Sequence, residues 1–226
     1  MILQTLKPSR VSVYTNTARK TLAQVFAETG ADAVINGTLF NGSLKPVMTL
    51  KVDGELLVHE GERYLGYGWD KNTLPMLTRD FEYYDNFICC IALIEDGKPL
   101  SLHYPDALGG VRGRAAIGFK PDGTMLLFCS SDSTPDACSP EVLQARLLAA
   151  GCDSALMLDG GGSSQMQTRT DAIRSTRIPY NFICVWSENT LYKVQVGAFR
   201  ERANAERLCN ELIRKGYDGF ISEVRQ

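Results

Sequence analysis

Histidine is nearly absent. The 226-residue chain has two, His59 and His103, in separate segments. Such isolated histidines are ordinary surface or core residues, so no transition-metal centre and no cofactor are expected. Asp and Asn oxygens leave only a hard divalent cation, Ca or Mg, open. Charge of one sign is lacking too: the formal net charge is -2, which gives no bulk attraction to nucleic acid or to an acidic membrane. No apolar run approaches the roughly 20 residues that span a bilayer. The opening "MILQTLKPSRVSVYTN" lacks the charged, apolar and small-residue regions of a signal peptide. The seven cysteines form an odd number without a CxxC pair, and Cys89, Cys90, Cys184 and Cys209 lie in apolar patterns where cysteine acts as a small hydrophobe. A reduced, cytoplasmic setting is the expectation, with packing preferred over a vicinal disulfide for Cys89-Cys90.

What is present is an ordinary globular composition, 44% hydrophobic and 22% charged, enough for one large core and a small second unit. Short strand patterns alternate with turn signals. "LKVDGELLV", "AAIGFKPDGTMLLFC" and "NFICCIALIEDGKPLSL" turn about Asp53-Gly54, Asp122-Gly123 and Asp96-Gly97, so each reads as a hairpin. Between them "GERYLGYGWDKNTLPML" reads as a loop or edge segment. Two helix-then-strand units interrupt the β pattern. In the first, Leu22, Val25 and Phe26 mark the buried helical face, Gly30 ends the helix, and a strand runs to Asn36. In the second, Ser139 is the N-cap with Pro140 at the first helical position; Leu143, Leu147 and Ala150 form the stripe, Gly151 closes the helix, and a strand runs to Asp159. The expected class is therefore α/β in the α+β sense: a mixed β-sheet core with hairpins and two helix-strand units. A small C-terminal βαβ unit follows. Residues 1–187 make the main domain. After a short polar linker, residues 191–226 carry seven basic against five acidic side chains, and Ala205, Leu208, Cys209, Leu212 and Ile213 mark one helical face.

Chemistry gathers at strand ends. In "ALMLDGGGSSQM" a buried strand runs into Asp159, then Gly160, Gly161 and Gly162, then Ser163 and Ser164. Three glycines let main chain turn sharply and approach a ligand, with N–H groups free to face an anion, and the two hydroxyls add donors. No GK[ST] follows, so this is not a Walker loop. Asp159 at the strand end suits a nucleophile, a general base or an orienting group. Asn36, Gly37, Thr38 and Asn41 surround another strand end. Arg112 and Arg114 stand at a hairpin mouth, and Arg177 and Asn181 precede the last core strand. Arginine's planar fork matches two phosphate oxygens.

The ordered stretches "INGTLFN", "GRAAIGFKPDG", "LMLDGGGSSQM" and "RIPYNFICV" resemble the phosphodiester glycosidase family over roughly residues 10 to 186. The resemblance implies a mixed α/β fold and hydrolysis of a sugar-1-phosphodiester, GlcNAc-1-phosphodiester-like, to free sugar and a phosphate monoester. It implies Asp159 and Arg114 as catalytic residues. As substrate-binding residues it implies Asn36, Gly37, Gly160, Gly161, Gly162, Ser163, Ser164, Arg177 and Asn181. Arg114 and the glycine-loop N–H groups would stabilise the phosphate while Asp159 attacks the anomeric carbon or activates water, with cleavage at phosphorus also open. A carboxylate pair asks for a second acid, for which Asp132 and Asp136 are loop candidates. The chain departs from the family where Asp-Gly-Arg is common and Cys129-Ser130-Ser131-Asp132 stands instead. The tail "YKVQVGAFRERANAERLCNELIRKGYDGFI" resembles the first half of a SPOR domain, which implies peptidoglycan as a partner and action at the cell envelope if the chain is exported. Such a half unit is too small to hold a core alone, so it docks on the main domain, pairs with another copy as a homo-oligomer or is cut short. The alternative reading is a non-catalytic glycan- or sugar-phosphate-binding protein on the same scaffold.

Overall fold

The computed structural model describes residues 1–59, 63–187, 196–217, 219 and 221. It divides into two units, Met1–Glu188 and Asn189–Gln226.

The first unit begins with β1 (Ile2–Leu6), β2 (Pro8–Thr15), α1 (Leu22–Thr29) and β3 (Ala33–Asn36). The middle of the chain supplies β4 (Leu50–Val52), β5 (Glu55–Val58), β6 (Gly66–Trp69), β7 (Met76–Thr78), β8 (Asn86–Cys89), β9 (Ile91–Glu95) and β10 (Lys98–Pro99). Then come β11 (Ala115–Phe119), β12 (Met125–Cys129), α2 (Pro140–Ala149), β13 (Ser154–Met157), β14 (Met166–Thr168), β15 (Ala172–Ile173) and β16 (Asn181–Ser187).

The class is α+β. The strands form three sheets, ordered β1-β12-β11-β13-β9-β10, β15-β14-β3-β16-β2 and β5-β4-β8-β6-β7. Every strand pairing among the described residues is antiparallel. Period-two alternation decides which face each side chain meets. Ala115, Ile117 and Phe119 of β11 join the central core with Val13, Ile35, Leu50 and Ile183, so that core draws on all three sheets. The intervening Ala116 packs with Leu143 and Leu147 of α2. Across the molecule, Leu22 and Val25 of α1 cover Val34, Phe182 and Cys184. The second helix starts as expected, the Ser139 hydroxyl accepting from the Val142 N–H with Pro140 in the first turn, and the first starts on a capping box between Thr21 and Gln24 that the sequence reading did not single out.

Two sequence readings change. The "GERYLGYGWDKNTLPML" stretch is not a loop or edge segment throughout, because β6 lies inside its sheet between β8 and β7. Its glycines are there for contact. A Cβ on Gly66 would lie 2.5 Å from the Phe87 ring, and one on Gly68 2.5 Å from the Tyr84 ring. The intervening Tyr67 and Trp69 are buried; the Trp69 indole N–H donates to the Val11 carbonyl at 3.0 Å. The apolar run "NFICCIALIE" is likewise not one hairpin arm. It crosses between sheets, with Cys89 ending β8 and Cys90 leading into β9. Six cysteines are buried thiols, Cys209 is half-buried, and burial pushes the Cys90 and Cys129 thiols up to about 12.

In the second unit α3 (Arg202–Arg214) carries the Arg202–Glu206 and Glu211–Lys215 pairs one turn apart. Ala205, Leu208, Cys209 and Leu212 are half-buried, whereas Ile213 is 51% exposed and leaves the stripe. The flanking strands expected for a βαβ unit fall mostly on residues outside those described. Among the described residues no helix is long and apolar enough to cross a membrane.

Candidate functional site

Antiparallel register brings the strand ends together. In β11 and β13, Ala116 faces Met157 and Ile117 faces Leu156. Continuing that register by two pairs, through Ala115 and Leu158, sets Arg114, just before β11, beside Asp159, just after β13. The Leu158 N–H donates to the Ala115 carbonyl at 2.8 Å and the Gly161 N–H to the Gly113 carbonyl at 2.7 Å, so the ladder persists past the strands. Both residues line one cavity of about 280 Å³, at the small end of ligand pockets. Its wall also includes Arg112, Asp132, Gly160, Gly161, Gly162 and Arg177, with Leu39, Ile91, Ala107, Leu108, Met157 and Leu158 on the apolar side.

Arg114 is 2% exposed. Its Nε donates to the Cys138 carbonyl at 2.9 Å, Nη1 to the Leu108 carbonyl at 2.8 Å and Nη2 to the Gly110 carbonyl at 2.5 Å. Nη1 also meets the Met157 sulfur at 3.6 Å. Four of its five N–H groups are thereby used, and no carboxylate pairs with it among the described residues. Arginine keeps its charge when buried, although burial lowers its pKa. Arg114 therefore contributes a fixed positive charge at the cavity and one spare donor, rather than an open fork. Lysine has no planar fork with which to reach the three carbonyls, so Arg114→Lys is expected to destabilise the unit by roughly 3 kcal/mol, read from urea unfolding.

Asp159 is 9% exposed, and burial raises its pKa above the ordinary carboxylate value. The Ser163 hydroxyl, the Arg177 charge and the Gly160 N–H act in the opposite direction with less effect. Arg177 in turn donates from Nη1 to Ser163 Oγ at 3.1 Å, so a chain of hydrogen bonds runs from guanidinium through hydroxyl to carboxyl.

The glycine loop is folded differently from the anion-facing turn expected of it. Gly161–Ser163 form a short 3-10 turn. The N–H groups of Gly161, Ser163 and Ser164 are spent on the carbonyls of Gly113, Gly160 and Gly161. Gly162 is exposed and adjoins Arg177, whose Nη2 would lie 3.6 Å from a Cβ there. Among the described residues the buried Ser164 hydroxyl has no hydrogen-bond partner.

Asn36, Gly37 and Asn181 sit behind the cavity and are not among its lining residues. Asn36 donates from Nδ2 to the Asp159 carbonyl at 2.8 Å and accepts the Gln165 N–H on Oδ1 at 3.0 Å, bridging both sides of the glycine loop. The Asp159 N–H donates to the Gly37 carbonyl at 3.1 Å. Asn181 accepts the Thr38 N–H at 3.0 Å and donates to Thr38 Oγ1 at 2.9 Å. These side chains fix the height and angle at which Asp159 leaves its strand. Asn41 instead closes its own turn on the Ser43 and Lys45 N–H groups.

Of the two loop acids, Asp132 lines the cavity, whereas Asp136 pairs with the N-terminal amine. Leu39, Ile91, Ala107 and Leu108 were not singled out in the sequence, where nothing separates them from core residues. Among the described residues there is no group of three His, Cys, Asp or Glu side chains that could hold a metal ion.

Three arginines and two aspartates thus line one cavity where two sheets meet. Residues 29–190 match the family model of the phosphodiester glycosidases, and the chain belongs to that family of hydrolases. Residues 187–226 match the SPOR domain. The catalytic domain of zebrafish N-acetylglucosamine-1-phosphodiester α-N-acetylglucosaminidase, auto-inhibited by its pro-peptide, superposes with a TM-score of 0.62 at 17% identity, over 82% of this chain and 73% of that one. A protein from Synechocystis gives 0.67 at 12% identity, over 81% and 58% of the two chains. A protein from Burkholderia pseudomallei K96243 gives 0.55 at 13%, over 81% and 73%. At such identities the likeness is one of fold. No curated protein gives a significant sequence match.

Proposed function

We propose that the Met1–Glu188 unit hydrolyses sugar-1-phosphodiesters of the GlcNAc-1-phosphodiester type, releasing free sugar and a phosphate monoester. The observation that carries the reading is the placement of Asp159, Arg114 and Arg177 on one small cavity in a member of this hydrolase family. A phosphodiester brings one negative charge and departs readily from the anomeric carbon. Arg177 and the Gly162 edge would hold its oxygens, and the buried Arg114 charge would favour the growth of charge on the leaving phosphate. Asp159, whose pKa burial holds above the ordinary carboxylate value, would work at the anomeric centre. The SPOR match supports peptidoglycan binding by the second unit, which would bring the hydrolase to envelope glycans in an exported form. No metal has a part in this scheme, so activity should survive chelation with EDTA.

The test is release of sugar from methyl GlcNAc-1-phosphodiester. Arg177→Ala is expected to raise KM roughly ten- to a hundredfold through loss of a charged hydrogen bond. An unchanged KM removes Arg177 from substrate binding. The binding-only reading draws on the donors Arg114 has already committed to carbonyls; calorimetric binding of a sugar phosphate without turnover would select it.

A further inference from the structure

We propose that Asp132 is the second carboxylate of the reaction, taking a proton from the attacking water while Asp159 gives one to the departing phosphate oxygen. This rests on the hydrolytic reading of the same site.

Asp132 occupies the segment in which this chain departs from the Asp-Gly-Arg common in the family. Beyond β11 and β12 the ladder continues through Arg114 and Ser130, whose N–H and carbonyl groups exchange bonds of 3.2 and 2.8 Å. The chain then bends so that Asp132 Oδ1 accepts the Gly113 N–H at 2.9 Å. The fit is close, since a Cβ on Gly113 would lie 2.6 Å from the Asp132 nitrogen. Gly113 also binds the glycine loop, through its carbonyl and the Gly161 N–H at 2.7 Å. A single residue thus ties Asp132 to the loop that follows Asp159, and both carboxyl residues line the cavity. Elimination points the same way. Asp136 pairs with the N-terminal amine, Glu141 accepts the Tyr104 hydroxyl, and Asp106 does not line the cavity.

The two carboxyls stand in unlike surroundings. Asp132 is exposed, and its second oxygen has no protein partner among the described residues, leaving it open to water. Asp159 is buried, which favours its protonated form. Carboxyls divided in this way take the separate parts of base and acid. The other charged groups facing them are Arg112, Arg114 and Arg177.

In the step, a water oxygen bonds to the anomeric carbon as the bond from that carbon to the phosphate oxygen breaks. The electron pair stays on the phosphate oxygen, which takes the Asp159 proton, and the water proton passes to Asp132. Return of a proton from Asp132 to Asp159 through solvent resets the site. Direct displacement inverts the anomeric configuration.

The experiment compares wild type and Asp132→Asn on methyl GlcNAc-1-phosphodiester. The amide retains an oxygen for the Gly113 N–H, so its melting temperature should match wild type. The expected result is a fall in kcat of roughly a hundredfold or more and loss of the limb of the pH–kcat/KM profile that reports the base. With Asp132→Ala, azide should restore turnover and give the glycosyl azide of inverted configuration. Wild-type kcat and an unchanged profile in Asp132→Asn overturn the proposal, as does retained configuration in the first product from wild type. A wild-type chain that releases no sugar instead brings down the hydrolytic reading and this assignment with it.

Discussion

Asp159→Asn is expected to cut sugar release by roughly a thousandfold and, at neutral pH, to raise the melting temperature. The first effect follows from losing the only buried carboxyl among the described residues of the cavity; an amide neither exchanges the proton nor attacks carbon. The second follows from burial. The native state holds the Asp159 proton more tightly than the unfolded chain does, since the folded pKa is raised above 3.8. Stability linked to this group is thus fully present below the unfolded value and is lost as pH rises through the folded value. Above that value the ionised carboxylate burdens the native state, and asparagine removes the burden. Melting curves for both proteins from pH 3 to 8 should therefore coincide at the acid end and separate as pH increases. A variant that melts lower than wild type at pH 7 would show that the Ser163 and Arg177 contacts outweigh desolvation, contrary to the direction argued here.

Gly37→Ala should be among the most damaging single substitutions in the chain. A Cβ there would lie 1.5 Å from Asn181 Oδ1 and 2.7 Å from its Cγ. Asn181 has no freedom to withdraw, because it is buried and both ends of its amide are bound to Thr38. The pair must separate, which breaks the approach of β3 to β16 at the point where the Gly37 N–H meets the Asn181 carbonyl at 2.9 Å. The expected loss is roughly 3 kcal/mol, a fall in melting temperature of about 6–12 °C for a unit of this size. Activity should fall as well, since the Gly37 carbonyl holds the Asp159 N–H. The double variant Gly37→Ala/Asn181→Ala provides the check. If steric conflict is the cause, it should be little worse than Asn181→Ala alone; additive losses would reject that cause.

The sequence made much of this visible, for local reasons. The Asp53-Gly54 and Asp96-Gly97 turns are legible because both residues take positive φ, 49° and 84° in one and 50° and 67° in the other, a conformation that Asp-Gly accepts. Gly30 announces the end of the first helix, and Ser139 with Pro140 the start of the second. By contrast, β6 was obscured because Gly66 and Gly68 answer to the rings of Phe87 and Tyr84, which sit far along the chain. The crossing at Cys90 was obscured because β8 and β9 are both buried and read as one apolar run. At the site, Asp159, Arg114 and Arg177 stood out as charges beside strands. That Arg114 would be held by carbonyls, and the glycine loop turned onto Gly113, depends on the 108–113 segment and on Cys138, whose sequence carries no sign of it. The difference between Asp132 and Asp136 was hidden because each is fixed by a distant partner, Gly113 for one and the N-terminal amine for the other.

The carbonyl-held Arg114 has a consequence for how ionic conditions act on the protein. Dissolved ions gather around exposed charges such as Arg112 and weaken them beyond a Debye length of about 8 Å at physiological ionic strength, but they do not reach a guanidinium enclosed by main chain. Capture of an anion at the rim should thus fade with added salt while retention at the floor persists, and affinity plotted against salt concentration should level off instead of falling without limit.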